Sequence, residues 1–151
     1  MQSERPIVIA GGGPVGVVTA LALARQGLEV RLFEAEARVN DSPRAATTHA
    51  ATLEILENLG LVEEVTRRGL VEPKFRIWDR AGRAIIAEFD FGRLKDETRY
   101  PYVVQTEQHK LALMGIERLR AMGATVRMGV KVTGLSQDAD SVTVETEQGP
   151  L

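Results

Sequence analysis

After a short polar lead the chain carries a wholly apolar run, Ile7-Val8-Ile9-Ala10. Four consecutive β-favouring residues without alternation predict a strand covered on both faces, as in a parallel sheet. Glycines at 11, 12, 13 and 16 follow, and an Ala- and Leu-rich stretch over 17–26 then predicts a helix. Gly27 stands where that helix should stop. A loosely alternating stretch, 28–33, predicts a second strand. Strand, helix and strand in so short a span require a right-handed crossover and hence parallel pairing.

Residues 35–44 are polar, with Asn40, Asp41, Ser42 and Pro43, and read as a loop. Near-helical spacing of Ala50, Leu53, Leu56 and Leu59 predicts a helix from about residue 47, stopped by Gly60. Residues 61–68 predict a short third helix. The pattern changes at Pro73: Phe75-Arg76-Ile77-Trp78 and 84–89 predict two strands around the turn Asp79-Arg80-Ala81-Gly82. Residues 92–99 form a charged connection, and Pro101 argues for extended backbone over 100–104. A strong helix is predicted over 107–122, ended by Gly123, and strands over 125–128, 130–135 and 142–146. The class is α/β: a Rossmann-like βαβ unit with a parallel sheet, interrupted by the start of a β-rich segment.

Length and composition narrow this picture only a little. A chain of 151 residues amounts to about one domain, and 44% apolar with 26% charged residues is ordinary for a globular protein. The near balance of 19 basic and 21 acidic residues gives no electrostatic reason to expect nucleic acid or anionic membrane as partner. Without cysteine there are no disulfides and no thiolate metal sites. The two histidines, His49 and His109, stand outside any ligand cluster and read as structural or surface residues, so no metal site is expected. Trp78 reads as packing in its strand. No apolar run is long enough to span a bilayer. The first apolar run breaks at the glycines, where a signal peptide would need a cleavage site, so the expected location is the cytoplasm.

The sharpest chemical signal is Gly11-x-Gly13-x-x-Gly16 between the first strand and the first helix. In such a loop the first glycine permits the tight turn, the second lets backbone approach a pyrophosphate, and the third lets helix pack close on strand. Backbone N–H groups at the helix start, such as that of Val15, then face phosphate, helped by the helix dipole. Pro14 costs little there, because its missing N–H would be unpaired anyway. Glycines cluster in many turns, so the motif alone is weak; the strand before it and the helix after it make it strong. Glu34 closes the second strand, about twenty positions past Gly13, where an acid accepts hydrogen bonds from an adenosine ribose. A carboxylate there repels a 2′-phosphate and speaks against NADP. The motif by itself does not choose between FAD and NAD.

Three stretches do choose. Residues 7–34, 43–61 (PRAATTHAATLEILENLGL) and 102–113 (YVVQTEQHKLAL) together resemble the group A flavoprotein aromatic hydroxylases, the FAD-dependent monooxygenases of the para-hydroxybenzoate hydroxylase superfamily. The first stretch is shared widely among dinucleotide enzymes, while the second and third are far more specific. The resemblance implies FAD as cofactor, NADH or NADPH as transient reductant, and an aromatic substrate hydroxylated with O2. It implies that Arg44 sets its guanidinium on the FAD pyrophosphate, which suits a bidentate fork. A cation at a helix start is mildly disfavoured by the dipole, so an anion beside Arg44 would compensate it. The resemblance also implies that Gln105 holds the ribityl or phosphate region, where an amide offers both donors and an acceptor. The expected cofactor contacts are therefore Gly11, Gly13, Pro14, Val15, Gly16, Glu34, Arg44 and Gln105, and no residue stands out as an acid, base or nucleophile.

The resemblance further implies three segments: 1–72 as the first part of the FAD-binding region, 73–100 as the start of a substrate-domain insertion, and 101–151 as the second part of the FAD-binding region. The family's later DG and GD signatures do not occur in family context, so the chain reads as the N-terminal part of a larger hydroxylase, inactive alone. A homo-oligomer is compatible with this reading. Two alternatives stand beside it: a related FAD oxidoreductase that does not hydroxylate, halogenase- or reductase-like, and a non-catalytic NAD-binding domain.

Overall fold

The computed structural model describes residues 5–42 and 44–150. In chain order, strand β1 (Ile7–Ala10) leads into helix α1 (Pro14–Arg25) and strand β2 (Val30–Glu34). A two-residue strand β3 (Thr47–Thr48), helices α2 (Ala50–Asn58) and α3 (Val62–Arg68), and strand β4 (Leu70–Glu72) follow. Strands β5 (Lys74–Asp79) and β6 (Ala84–Asp90), a single 3₁₀ turn (Phe91–Leu94) and β7 (Val103–Gln105) come next. The chain continues through α4 (Gln108–Ala121) and strands β8 (Thr125–Met128), β9 (Val132–Gln137), β10 (Val142–Thr146) and β11 (Gly149–Pro150).

Two compact units form. One is built from the described residues up to Ser42 together with those from Gln108 onward, the other from the described residues between them. In the first, β1, β2 and β8 make a sheet in the order β1-β2-β8, parallel throughout, with Ile7 beside Val30 and Arg31 beside Thr125. This is the expected parallel βαβ unit. Central β2 buries Val30, Leu32 and Phe33. The expectation of a fully covered β1 is corrected: Ile7, Val8 and Ile9 are only half-buried. Among the described residues β1 has a strand on one side only. A cleft of about 670 Å³, lined by Ile7, Val8, Val132, Leu135 and Val144, lies beside it.

Helices α1 and α4 supply most of the apolar cover in this unit. Val17, Ala20 and Leu21 of α1 and Leu111, Met114, Ile116 and Leu119 of α4 are buried, each large side chain stabilising by about 1.5–3 kcal/mol on burial. Gly115 sets how closely α4 approaches α1: a Cβ there would stand 2.1 Å from Cγ1 of Val17 and 3.3 Å from Cδ1 of Leu21. Glycine inside a helix costs about 1 kcal/mol against alanine, and the closer packing offsets that. Gln26 caps α1, and Gly27 turns the chain at φ 80°.

In the second unit α2, α3 and an antiparallel sheet in the order β3-β7-β4 enclose Leu53, Leu56, Leu61, Val65 and Val104, all fully buried. The expected helix from about residue 47 begins later. Thr47 and Thr48 pair with Gln105 and Val104 instead, and α2 starts at Ala50 with His49 as its N-cap. Two adjacent β-branched residues lose little in taking the strand that tertiary pairing offers them.

The β5–β6 hairpin matches its expected strands and is two-sided. Phe75 faces Phe89 and Ile77 faces Ala87 in register, with the two phenyl rings 6.1 Å apart. Lys74 and Arg76 alternate with them and both reach Glu88, at 2.7 Å each. Phe75, Trp78 and Phe89 remain more than half exposed.

Candidate functional site: a phosphate loop and its acidic partner

The three motif glycines sit at the end of β1 and the start of α1, each for a different reason. Gly11 has φ 110°, a conformation that side chains resist, and its N–H donates to Phe33 O at 2.7 Å as the chain leaves the sheet. Gly16 has ordinary backbone but no room: a Cβ would lie 2.0 Å from the carbonyl oxygen of Gly11. Gly13 has neither constraint. Its backbone is extended (φ −71°, ψ 176°), and a Cβ would meet nothing within 4 Å. Nothing inside the unit needs glycine at 13; the missing side chain leaves open space outside it.

That space faces the start of α1. Gly13 is the N-cap and offers no side chain to cap the helix, the first turn holds no acid, and Pro14 occupies its first position. The N–H groups of the first turn have no carbonyl within the helix to bond, and the helix dipole adds partial positive charge there. Val15, the next residue, exposes 80% of its surface. Uncapped backbone donors at a helix start are suited to an anionic group such as a phosphate.

Glu34 stands across the loop at the end of β2. Its Oε2 accepts from Gly12 N–H at 2.6 Å and its Oε1 from Glu36 N–H at 2.9 Å. Five of the expected contacts, Gly11, Gly13, Pro14, Val15 and Gly16, thus lie together on the turn from β1 into α1, and Glu34 is bonded to that turn through Gly12. The residues fit a dinucleotide on two counts: open space beside an exposed, extended Gly13 at the uncapped start of α1, and a carboxylate with acceptor capacity left after two bonds.

The other two expected residues lie in the second unit. Gln105 ends β7, where Oγ1 of Thr47 donates to its Oε1 at 2.9 Å. The amide oxygen is thereby used, and its NH₂ has no acceptor among the described residues. Arg44 is exposed in irregular chain. The expected place at a helix start is corrected: α2 begins only at Ala50, so no helix dipole disfavours the Arg44 cation. Arg44 forms no ion pair among the described residues. Nearby in sequence, Thr106 Oγ1 and His109 Nδ1 are buried and have no hydrogen-bond partner among the described residues.

Two further residues, one in each unit, hold expected residues in place without a clear signal in the sequence. Gly12 occupies a variable position of the motif, and the only signal was that it extends the glycines to a run of three. Thr47 fixes the amide of Gln105 from 58 positions away, a pairing that no local pattern announces. Among the described residues no cluster of His, Asp and Glu is placed to hold a metal ion, and no helix is long and apolar enough to cross a membrane.

Comparison with known proteins places the chain among named relatives. A para-nitrophenol 4-monooxygenase of Pseudomonas sp. (strain WBC-3) is 33% identical over 147 residues, covering 97% of this chain and 36% of that protein. A 6-hydroxy-3-succinoylpyridine 3-monooxygenase of Pseudomonas putida is 35% identical over 122 residues, covering 81% of this chain and 31% of that protein. The crystal structure of p-nitrophenol 4-monooxygenase from Pseudomonas putida superposes with a TM-score of 0.90 at 33% identity, covering all of this chain and 39% of that one. The chain therefore spans about a third of the length of the curated relatives it matches. The family model described as "FAD binding domain" matches residues 4–150. Matched over nearly its whole length, the chain belongs to the FAD-binding domain family, and the relatives it is similar to are named as monooxygenases.

Proposed function

We propose that this chain seats FAD in a monooxygenase that hydroxylates a phenolic or similar aromatic compound, using NADH or NADPH as reductant and O2 as oxidant. The observation that carries this reading is Gly13, a glycine with ordinary backbone and an empty surrounding at the uncapped end of α1. The relatives' names support the substrate class: both named substrates are aromatic rings bearing a hydroxyl.

The chain's own residues would divide the cofactor between them. Gly11, Gly13 and Gly16 shape the loop, Pro14 starts the helix at little cost, and the Val15 and Gly16 N–H groups donate to the pyrophosphate. Glu34 accepts from the ribose of the adenosine half. Arg44 lays a bidentate fork on phosphate oxygens, and the free NH₂ of Gln105 donates to the ribityl or phosphate region. The bound flavin supplies hydride acceptance from the nicotinamide and activation of O2. Glu34 keeps a 2′-phosphorylated nucleotide out of this seat, so a nicotinamide reductant of either kind would act from elsewhere.

Residues 73–100 begin the substrate region, between FAD-binding segments 1–72 and 101–151. Support comes from the β5–β6 hairpin, whose exposed Phe75, Ile77 and Phe89 offer an apolar surface of the kind that lines an aromatic site. We place the protein in the cytoplasm, where nicotinamide reductants are supplied, and a homo-oligomer is consistent with that exposed surface.

The test uses the full-length protein. It should be yellow, release FAD on denaturation, and oxidise NADH or NADPH faster when a phenol is added, with a hydroxylated product. A colourless protein that retains a nicotinamide instead would overturn the cofactor assignment. A yellow protein whose reductant consumption ignores every phenol tried would overturn the reaction.

A further inference from the structure

We infer that Glu34 is a positioning residue of the phosphate loop, pinning Gly12 in place before any nucleotide arrives. Gly12 is buried, and its N–H donates to Oε2 of Glu34 at 2.6 Å. A buried N–H deprived of its acceptor is costly, so the carboxylate holds the residue between Gly11 and Gly13 at a fixed height. The approach is close because Gly12 has no side chain: a Cβ would stand 3.0 Å from Cβ and 3.2 Å from Cγ of Glu34. The second oxygen is tied to Glu36 N–H at 2.9 Å, so the carboxylate cannot swing away without losing that bond too. Backbone bonds from Val130 N–H to Glu34 O at 2.8 Å and from Gly129 N–H to Glu36 O at 2.9 Å root this segment in the sheet next to β8. The loop therefore rests on a brace running from the parallel sheet through one side chain.

The brace does not use up the carboxylate. An ionised carboxylate has about four lone-pair positions, and two are taken. Two remain for ribose hydroxyls, so a bound adenosine need not break the anchor. One side chain then serves both ends of the adenosine diphosphate: directly at the ribose, and through Gly12 at the phosphates.

Two variants separate these roles. Glu34→Ala removes the anchor. Glu34→Gln keeps a carbonyl oxygen that can still accept from buried Gly12, leaving its NH₂ toward the exposed Glu36 N–H, which water can satisfy. In the ligand-free chain, amide hydrogen exchange at Gly12 should quicken at least tenfold in E34A and return most of the way to wild type in E34Q. The amides of β2 serve as the control for an intact fold. If Gly12 exchanges equally slowly in E34A with β2 protected, the inference is wrong.

The second readout rests on the nucleotide reading and uses 2′,3′-dideoxy-ADP, which has no ribose hydroxyl for Glu34 to bind. E34A should weaken its affinity at least threefold, and E34Q should not. Both variants remove the same negative charge, which by itself would favour the diphosphate, so the difference between them reports the loop alone. Equal affinity in all three proteins would overturn the inference. Failure of wild type to bind any adenosine diphosphate would instead overturn the nucleotide reading, and the exchange measurement would still decide the role of Glu34.

Discussion

Gly13→Ala should separate binding from stability. The methyl group enters open space, and the backbone at φ −71°, ψ 176° is one that alanine adopts freely. Replacing glycine at such a position removes freedom from the unfolded chain and stabilises by about 0.4–1 kcal/mol. Gly13 is also an N-cap, where alanine is worse than glycine by a comparable amount. The two effects nearly cancel, so the net change in stability should stay within about 1 kcal/mol. For a chain of this size that is a shift of roughly 2–4 °C at most in Tm. The ligand meets a different situation. The new Cβ stands where a phosphate would approach the α1 N–H groups, and each charge-assisted bond lost there is worth about 1.5–3 kcal/mol. Losing one weakens FAD by about ten- to a hundredfold. Thermal melting of the ligand-free protein and a flavin fluorescence titration of the same sample measure the two quantities side by side. Full FAD affinity in a stable Gly13→Ala protein would refute the assignment of this loop as the pyrophosphate seat.

Gly16→Ala should behave differently, because its Cβ would lie 2.0 Å from a backbone carbonyl that has no rotamer to yield; melting should fall by the equivalent of about 1–3 kcal/mol, and FAD binding with it. Gly115→Ala should also lower Tm despite alanine's better helix propensity, since Val17 blocks the methyl group at 2.1 Å; adding Val17→Ala should recover part of the loss, and a double mutant no better than the single would refute the packing account. Lys74 and Arg76 hold the Glu88 carboxyl below its ordinary 4.5. That stabilisation is present above the unfolded value and is lost as pH falls through the depressed one. Melting of Glu88→Gln should therefore lag wild type at neutral pH and converge with it in acid, the gap shrinking with added salt because the pair is exposed.

The parts of this fold legible in the sequence were those whose cause is local. Ile7 to Ala10, the glycine run and Glu34 specify strand, turn and strand end within one βαβ unit, and the structure places them so. What escaped has causes far away in the chain. Thr47 and Thr48 fall in a stretch with helical spacing, yet they pair with β7 because β7 is there to receive them. Leu70–Glu72 carries no pattern of its own and forms β4 by pairing with the other edge of β7. Gly115 reads as a weak point in a helix until Val17 is known to lie against it. In the site, the motif positions stood out by type and spacing, whereas the bonds from Gly12 to Glu34 and from Thr47 to Gln105 depend on tertiary placement that no periodicity encodes.

The sheet order carries a consequence for how the chain is made. Strands β1 and β2 leave the ribosome first, but the strand that completes their sheet, β8, joins Arg31 to Thr125 only after about ninety more residues have been synthesised. The intervening unit finds its core among its own residues and can fold while the first waits. A nascent chain that has emerged from the ribosome past Gln105 but not yet to Thr125 would thus complete the insert before the nucleotide fold. The loop that reads most plainly in the sequence is among the last features to become rigid.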